Sequence, residues 1–256
     1  MPGMQRKRPL APRGFDFLAR WSQGSWAESK VIETINASDY VAVPYGPSKG
    51  DPIDRDFSGW TEFFEDYQRR LEAQGKRPDL LVFEKDAMKK EDREFIDRLQ
   101  EMDDASSSRI VSASHVALEV ETSLWKAEKA LLKGTQLSFT VKEEDMERLT
   151  QWQEAYKKPL LIVQVFYDSA YAISYHRVKE LITQGEVKKA KKDRKTGKLT
   201  YKTPLSMGVE FATLVEVPRV ESTVLESDKG MIMAYASFKG GRFDLTQQGL
   251  TILRST

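Results

Sequence analysis

Three carboxylates lie in or beside two apolar, strand-like runs of the sequence. Asp79 precedes the run 80–83, and Glu119 and Glu121 stand two positions apart in the run 116–121. Because side chains alternate between the faces of a strand, Glu119 and Glu121 are predicted to point the same way. If the two strands pair, Asp79 joins them, and three convergent carboxylates favour a hard divalent cation, with Mg²⁺ the first candidate. Such a site is suited to metal-assisted hydrolysis of a phosphodiester.

Each of these acids also has an ordinary structural interpretation. Pro-Asp pairs are common where strands begin, so Asp79 by itself fits a turn. Glu119 and Glu121 fit the solvent-facing side of an edge strand whose valine and leucine residues face inward. Two like charges on one face repel each other, however, and a cation between them removes that repulsion. The three acids together therefore favour the metal site.

The composition restricts the chemistry to carboxylates and lysines. The 256 residues include no cysteine, which excludes disulfides, thiolate nucleophiles and cysteine-ligated zinc. With only His115 and His176, a site built from several histidines is nearly excluded. The sequence contains neither a Gly-x-Ser-x-Gly turn nor a glycine-rich phosphate loop. No apolar run approaches the roughly 20 residues needed to cross a bilayer, and the basic start does not resemble a secretory signal.

Positive charge is concentrated in residues 187–202, which we call the basic ribbon. The ribbon has a net charge of +7, whereas the whole chain has a net charge of +1. A concentrated basic surface is expected where a protein approaches a polyanion, although a solvated lysine-rich loop has the same composition. The candidate DNA-binding residues of the ribbon are Lys188, Lys189, Lys191, Lys192, Arg194, Lys195, Lys198 and Lys202.

The order of predicted elements indicates an α/β fold, with a central mixed β-sheet flanked by helices and with peripheral β-hairpins. Residues 1–14 are predicted to be a disordered basic arm. Residues 15–256 form a single domain, in which 185–256 is the DNA-contacting subregion. The predicted helices are 15–34, 57–74, 91–102, 124–132, 145–157 and 176–184. The predicted strands are 80–83, 116–121, 137–142, 159–166, 209–217, 231–235 and 251–253, with a loop at 104–108 and a hairpin turn around 196–197.

The motif strands carry a family resemblance. Pro78-Asp79 on one strand, followed by Glu119-Val120-Glu121 on the next and then a helix, resembles the PD-(D/E)xK nuclease superfamily. Many type II restriction endonucleases belong to that superfamily. Glu121 stands where the superfamily usually has a lysine, so the chain resembles the E-x-E variant and, within it, an AccI-like grouping. The resemblance covers about residues 24–170 and implies a restriction-endonuclease-like core.

The resemblance also implies roles for individual residues. Asp79 and Glu119 would ligate the metal, and Glu121 would ligate it or position the attacking water. Lys142 is the best substitute for the missing lysine, with Lys126 next, although Lys142 also fits a solvated strand end. Glu28 on the first helix and Gln164 in the apolar strand would support the site; alternatively, they are a helix-surface acid and a core amide.

The function implied by the resemblance is Mg²⁺-dependent, sequence-specific cleavage of double-stranded DNA by a type II restriction endonuclease. A palindromic target would require a homodimer, and a cognate methyltransferase would protect the host DNA in a prokaryotic cytoplasm. Two alternatives remain open at this point. One is a repair or structure-specific nuclease with the same core, and the other is a non-catalytic DNA- or RNA-binding protein.

Overall fold

Helices and strands make up most of the part of the chain that the structure describes. The computed structural model describes residues 15–47, 65–66, 69–70, 75–87, 94–123, 125–189, 199–226 and 232–255. The helices of this part are α1 (Phe15–Asn36), α2 (Asp104–Ala113), α3 (Ala127–Leu132), α4 (Glu143–Tyr156), α5 (Tyr175–Thr183) and α6 (Gln247–Arg254). Its strands are β1 (Tyr40–Pro44), β2 (Leu80–Glu84), β3 (Val116–Thr122), β4 (Ser138–Lys142), β5 (Leu160–Val165), β6 (Ser169–Ser174), β7 (Lys188–Lys189), β8 (Thr200–Pro204), β9 (Val209–Glu216), β10 (Arg219–Glu226), β11 (Ile232–Lys239) and β12 (Arg242–Leu245).

A seven-stranded sheet in the order β1-β2-β3-β5-β6-β9-β12 forms the centre of the fold. Strands β3 and β5 are parallel, and the other neighbouring strands are antiparallel. The parallel pair is joined by a crossover that contains α3, β4 and α4, as a parallel connection requires. This mixed sheet with flanking helices and small hairpin sheets confirms the predicted α/β fold class.

The two motif strands are adjacent in the sheet interior. Strand β2 pairs antiparallel with β3, and β3 pairs on its other side with β5. The interpretation of Glu119 and Glu121 as exposed residues of an edge strand is therefore wrong. Strand β5 is buried at all six positions, as its nearly continuous apolar sequence predicts.

The alternation of side chains along β2 and β3 divides the core between the two faces of the sheet. Leu80, Val82, Leu118 and Val120 face α1 and pack against its buried side. Leu81, Phe83 and Ala117 face the opposite way, into a core that includes residues of α2, α4 and α5. Because side chains alternate, Glu119 and Glu121 lie on the same face as Ala117, away from α1.

Two smaller sheets accompany the central one. Strand β8 pairs antiparallel with β4 and with β7. Strands β7 and β8 are the two arms of the hairpin predicted in the basic ribbon. The turn of that hairpin, 190–198, lies outside the described residues. Strands β10 and β11 form the other small sheet, which has two antiparallel strands.

Three local predictions differ from the structure, and helix caps explain two of them. In its described part, the predicted helix 91–102 is a short helical stretch at 94–96 followed, after a turn, by a 3₁₀-helix at Leu99–Glu101. The predicted loop 104–108 is the first part of α2, because the Asp103 carboxylate accepts a hydrogen bond from the Ser106 amide and starts the helix. The predicted strand 251–253 lies in α6, which Thr246 caps by accepting from the Gly249 amide. The basic arm 1–14 and most of the predicted helix 57–74 lie outside the described residues. Within the described part, no helix combines the length and apolar character needed to cross a bilayer.

Candidate active site

The register of the motif strands places Asp79 beside Glu119. Leu80 pairs with Leu118 in the antiparallel ladder, so the same register continued by one residue places Asp79 opposite Glu119. The Oδ2 atom of Asp79 accepts a hydrogen bond from the backbone amide of Val120 at 2.8 Å. This bond fixes one oxygen of Asp79 against β3, at the residue next to Glu119 in the chain.

A lysine that the sequence analysis missed joins these two acids. The ammonium of Lys76 lies 2.5 Å from Oε1 of Glu119 and 3.7 Å from Oδ1 of Asp79. The side chain of Lys76 is 15% exposed and that of Glu119 is 4% exposed, so solvent screens the contact only weakly. The two carboxylates consequently lie within about 6 Å of each other. The only sequence signal for Lys76 is its position three residues before Asp79.

The remaining predicted acid and lysine form a second ion pair beside the first. The ammonium of Lys142, at the end of β4, lies 3.8 Å from Oε1 of Glu121 and 3.5 Å from Oδ2 of Asp145. The attraction of Glu121, against the cost of burial, raises the pKa of Lys142. Asp145 was not predicted as a site residue. It joins the cluster because α4 begins immediately after Lys142, which leaves Asp145 in the first turn of that helix.

The surroundings of Glu119 disfavour its charged form. Burial, together with the nearby negative charge of Asp79, raises the pKa of Glu119 to about 8 despite the attraction of Lys76. Its Oε2 atom is buried and has no hydrogen-bond partner among the described residues. A buried carboxylate oxygen without a partner is costly, and a cation would satisfy it.

The donor set fits a hard divalent cation, but the side chains as they lie do not enclose one. Within the part of the chain that the structure describes, no three acidic or histidine side chains are close enough together to hold a metal ion. The ammonium of Lys76 lies against the carboxylates of Asp79 and Glu119, and Lys142 lies against Glu121. Metal ligation by Asp79, Glu119 and Glu121 stays a prediction.

Gln164 connects the central sheet to the strand that carries Lys142. It is buried in β5, where it is the parallel partner of Glu121. Its side-chain oxygen accepts hydrogen bonds from the amide and the hydroxyl of Thr140, each at 3.0 Å. Gln164 thereby fixes β4 two residues before Lys142. This geometry favours the supporting interpretation of Gln164 over that of an isolated core amide.

The structure gives less support to the other predicted residues. Glu28 is half-buried on α1, whose buried side packs against the face of β3 opposite to Glu119. Its supporting role stays a prediction. Lys126, the second candidate for the catalytic lysine, lies 5.4 Å from the ring centre of Tyr167.

The segment that carries Lys76 and Asp79 is anchored by Arg77. The guanidinium of Arg77 contacts Oδ1 of Asp104 through two nitrogens and donates to the carbonyl of Met102 at 2.8 Å. It also lies 5.1 Å from the ring centre of Tyr45. Arg77 is only 2% exposed, so these contacts hold the backbone between the two site residues.

Gly46 fixes the other side of the same segment, and its replacement tests how precisely Asp79 must be placed. The amides of Tyr45 and Gly46 donate to the carbonyl of Asp79 at 2.8 and 3.1 Å. A Cβ atom at Gly46 would lie 3.0 Å from the carbonyl oxygen of Pro78 and 3.2 Å from Cα of Asp79. We expect Gly46→Ala to displace Asp79 slightly and to lower DNA cleavage by about tenfold.

The matched control for this variant is Gly24→Ala, because a Cβ atom there has no heavy atom within 4 Å. Cleavage rates and melting temperatures of both variants are the measurements. Equal activity of Gly46→Ala and the unmodified protein would show that close packing behind Asp79 does not limit the reaction.

The raised pKa of Glu119 predicts a pH dependence of stability for the metal-free protein. Unfolded Glu119 loses its proton near pH 4.5, whereas the folded group holds it to about pH 8. Between these values the folded state binds more protons, so the free energy of unfolding falls as pH rises, by a few kcal/mol in order of magnitude. Chemical denaturation across this range should show the fall in the unmodified protein. The free energy of unfolding of Glu119→Gln should lack this fall. The same pH dependence in both proteins would contradict the prediction.

The structure describes only part of the basic ribbon. Lys188 pairs directly with Lys202 across the β7–β8 ladder, and Lys142 pairs with Thr200 across the β4–β8 ladder. The ribbon is therefore connected through β8 to the strand that ends at Lys142. The residues Lys191, Lys192, Arg194, Lys195 and Lys198 lie outside the described residues.

Comparison with known proteins identifies the family. The family model of the AccI restriction endonuclease matches residues 5–123 and 104–254, which is more than half of the chain. The chain belongs to the AccI restriction endonuclease family. Membership in the AccI family confirms the resemblance to restriction endonucleases and supports a nuclease that acts on DNA.

The similarity to solved structures is low, and curated protein sequences give no match. A solved structure of D212, a nuclease from a fusselovirus, is 11% identical, with 73% of this chain and 76% of that chain covered and a TM-score of 0.32. No curated protein sequence matches this AccI-family chain.

Proposed function

We propose that the protein is a Mg²⁺-dependent, sequence-specific endonuclease that hydrolyses phosphodiester bonds of double-stranded DNA. The observation that carries the proposal is the buried, unpartnered Oε2 atom of Glu119 beside Asp79, in a member of the AccI family. A structural carboxylate would be expected to have both oxygens hydrogen-bonded when buried. An unsatisfied oxygen in a group of acids is instead suited to bind a divalent cation.

Asp79 and Glu119 would hold the ion, because their carboxylates meet at the junction of β2 and β3. When bound, Mg²⁺ supplies Lewis-acid chemistry, which offsets the negative charge of a phosphodiester in the transition state. Glu121 would hold the ion or orient the attacking water, since it shares the face of β3 with Glu119. Asp79 is kept in place by its bond to the Val120 amide, which holds its carboxylate at β3 beside Glu119.

Lys142 would stabilise negative charge that develops on the scissile phosphate. The side chain of Lys142 is 45% exposed, so a DNA phosphate can approach it. Gln164 holds the strand that carries Lys142, and Asp145 and Glu121 keep the ammonium charged and oriented. A charged, oriented donor beside the substrate is the arrangement that electrostatic catalysis needs.

A palindromic recognition sequence would call for a symmetric homodimer in which each subunit cuts one strand. In a host cell, such an enzyme would act together with a cognate methyltransferase that protects the host DNA. The basic ribbon would bind backbone phosphates near Lys142, with Arg194 and neighbouring residues available for guanine edges in the major groove.

The test is digestion of a long, mixed-sequence DNA in the presence of Mg²⁺, followed by electrophoresis. Discrete fragments that disappear when a chelator is added are the expected result. A smear would indicate a nuclease without sequence specificity, and cutting confined to branched substrates would indicate a structure-specific enzyme. Binding without any cleavage in Mg²⁺ or Mn²⁺ would favour a non-catalytic DNA-binding protein.

The role of the basic ribbon is tested by removing its cross-strand lysine pair. We expect Lys188→Gln with Lys202→Gln to weaken DNA binding and to reduce the salt dependence of the binding constant by up to about two phosphate contacts. Binding should be measured by fluorescence anisotropy at several salt concentrations. The matched control is Lys129→Gln with Lys133→Gln, which removes two exposed lysines near α3. Equal salt slopes for both double variants would contradict a phosphate-binding ribbon.

A further inference from the structure

Lys76 lies where a metal ion would be expected. Its ammonium is 2.5 Å from Glu119 and 3.7 Å from Asp79, so a single positive charge is shared by the two acids. An ion that bound both acids through the same oxygens would need that space, since Mg²⁺ binds oxygen at about 2.0–2.1 Å. The ammonium and the ion therefore compete for one position.

The charges of the cluster explain why a positive group is needed there. Asp79, Glu119, Glu121 and Asp145 are four acids, and they contact two ammonium groups, Lys76 and Lys142. If every group is ionised, the four acids exceed the two ammonium groups by two negative charges, so the cluster stays negative whether Lys76 or a divalent cation lies between Asp79 and Glu119. If neither an ion nor Lys76 were present, the buried carboxylate of Glu119 would lie near Asp79 without the ammonium that now contacts it.

The two lysines differ in a way that assigns this role to one of them. Lys76 is mostly buried and lies between Asp79 and Glu119, whereas Lys142 is about half exposed and contacts Glu121 and Asp145 at longer distances. Removal of Lys142 would leave the space between Asp79 and Glu119 occupied. Lys142 is therefore the matched control for Lys76.

We propose that Lys76 is the resident counter-ion of the site: its ammonium replaces a divalent cation between Asp79 and Glu119 in the metal-free protein, and binding of the cation displaces it. The proposal rests on the proposed function, because it needs a divalent cation at these acids. It goes beyond that function by making metal binding a competition with a side chain of the protein. Apparent metal affinity is then lower than the carboxylates alone would give, since the ion must first displace Lys76.

The experiment measures metal binding directly, without DNA. Mn²⁺ should be titrated by calorimetry into the unmodified protein, Lys76→Gln, Lys76→Arg and Lys142→Gln. An alkaline buffer limits protonation of Glu119, which would otherwise compete with the ion. We expect Lys76→Gln to bind Mn²⁺ on the order of tenfold more tightly than the unmodified protein, because the competing charge is gone. Lys76→Arg should not bind more tightly, and Lys142→Gln should change affinity less than Lys76→Gln.

A second measurement uses the unmodified protein, so it does not depend on the folding of Lys76→Gln. An ammonium held in a buried ion pair gives an observable ¹⁵N signal of the lysine side chain, and Lys76→Arg identifies the signal by its loss. Addition of Ca²⁺ should shift or abolish that signal. A Lys76 signal unchanged at saturating Ca²⁺ would overturn the inference.

The outcomes separate this inference from the proposed function. If the unmodified protein binds Mn²⁺ but Lys76→Gln binds it equally or more weakly, the counter-ion role is wrong and the metal site stands. If neither protein binds Mn²⁺ or Ca²⁺, both the inference and the metal-dependent function are overturned.

Discussion

Glu119→Gln is expected to abolish Mg²⁺-dependent DNA cleavage, with a loss of about 10³-fold or more, equivalent to roughly 4 kcal/mol of transition-state stabilisation. Glutamine has nearly the same shape but lacks the charge that would hold a divalent cation beside Asp79. Glu119 is buried, so its substitution leaves Asp79 without a second carboxylate at that buried position. Single-turnover cleavage rates in Mg²⁺ and in Mn²⁺ are the measurement.

DNA binding by Glu119→Gln should remain close to that of the unmodified protein, since the basic ribbon is unchanged. The matched control is Glu84→Gln, which makes the same substitution at an exposed position at the end of β2. Circular dichroism establishes that both variants are folded. Undiminished cutting by Glu119→Gln would remove Glu119 from the catalytic machinery and, with it, the proposed metal site.

Arg77→Met is expected to lower the free energy of unfolding by about 2–4 kcal/mol, because it removes a buried ion pair and the hydrogen bond to Met102. Methionine fills much of the space but cannot donate to either partner. This loss of stability is smaller than for a fully buried ion pair. The side chain of Asp104 is 63% exposed, so it is hydrated when Arg77 is removed. Denaturant unfolding of the metal-free protein is the measurement.

The same variant should also reduce cleavage at temperatures where it remains folded, because Arg77 lies between Lys76 and Asp79 in the chain. Arg77→Lys separates charge from geometry: it keeps the charge but cannot make the two-nitrogen contact with Asp104. We expect Arg77→Lys to be destabilised nearly as much as Arg77→Met. Asp104→Asn keeps Arg77, so it should lower the free energy of unfolding by less than either Arg77 variant. Stability of Arg77→Met equal to that of the unmodified protein would show that Arg77 does not anchor the segment.

The fold and the main acids of the site could be predicted because their signals are local. Apolar runs identify β2, β3 and β5, and alternation places Glu119 and Glu121 on one face of β3 without any knowledge of its neighbours. The uninterrupted burial of β5 follows from its uninterrupted apolar sequence. Lys142 was predicted from the family resemblance, and the structure places its ammonium 3.8 Å from Glu121.

Local signals failed where side chains rather than periodicity decide the structure. The serines of 104–108 are typical of a loop, yet the carboxylate of Asp103 starts a helix there. The segment 251–253 has the composition of a short strand, yet the hydroxyl of Thr246 caps the helix that contains it. In both cases one capping hydrogen bond outweighs a weak propensity.

The sequence by itself determined the fold class, the family pattern and the acids Asp79, Glu119 and Glu121, because strand alternation and motif order are properties of the chain. Only the tertiary structure decided that Lys76 lies against Glu119, that Lys142 lies against Glu121, and that Arg77 and Gly46 hold the segment before β2. The physical reason is that an ion pair depends on distances of a few ångströms between side chains from different elements. Those distances are set by the packing of the sheet and its loops, not by spacing along the chain.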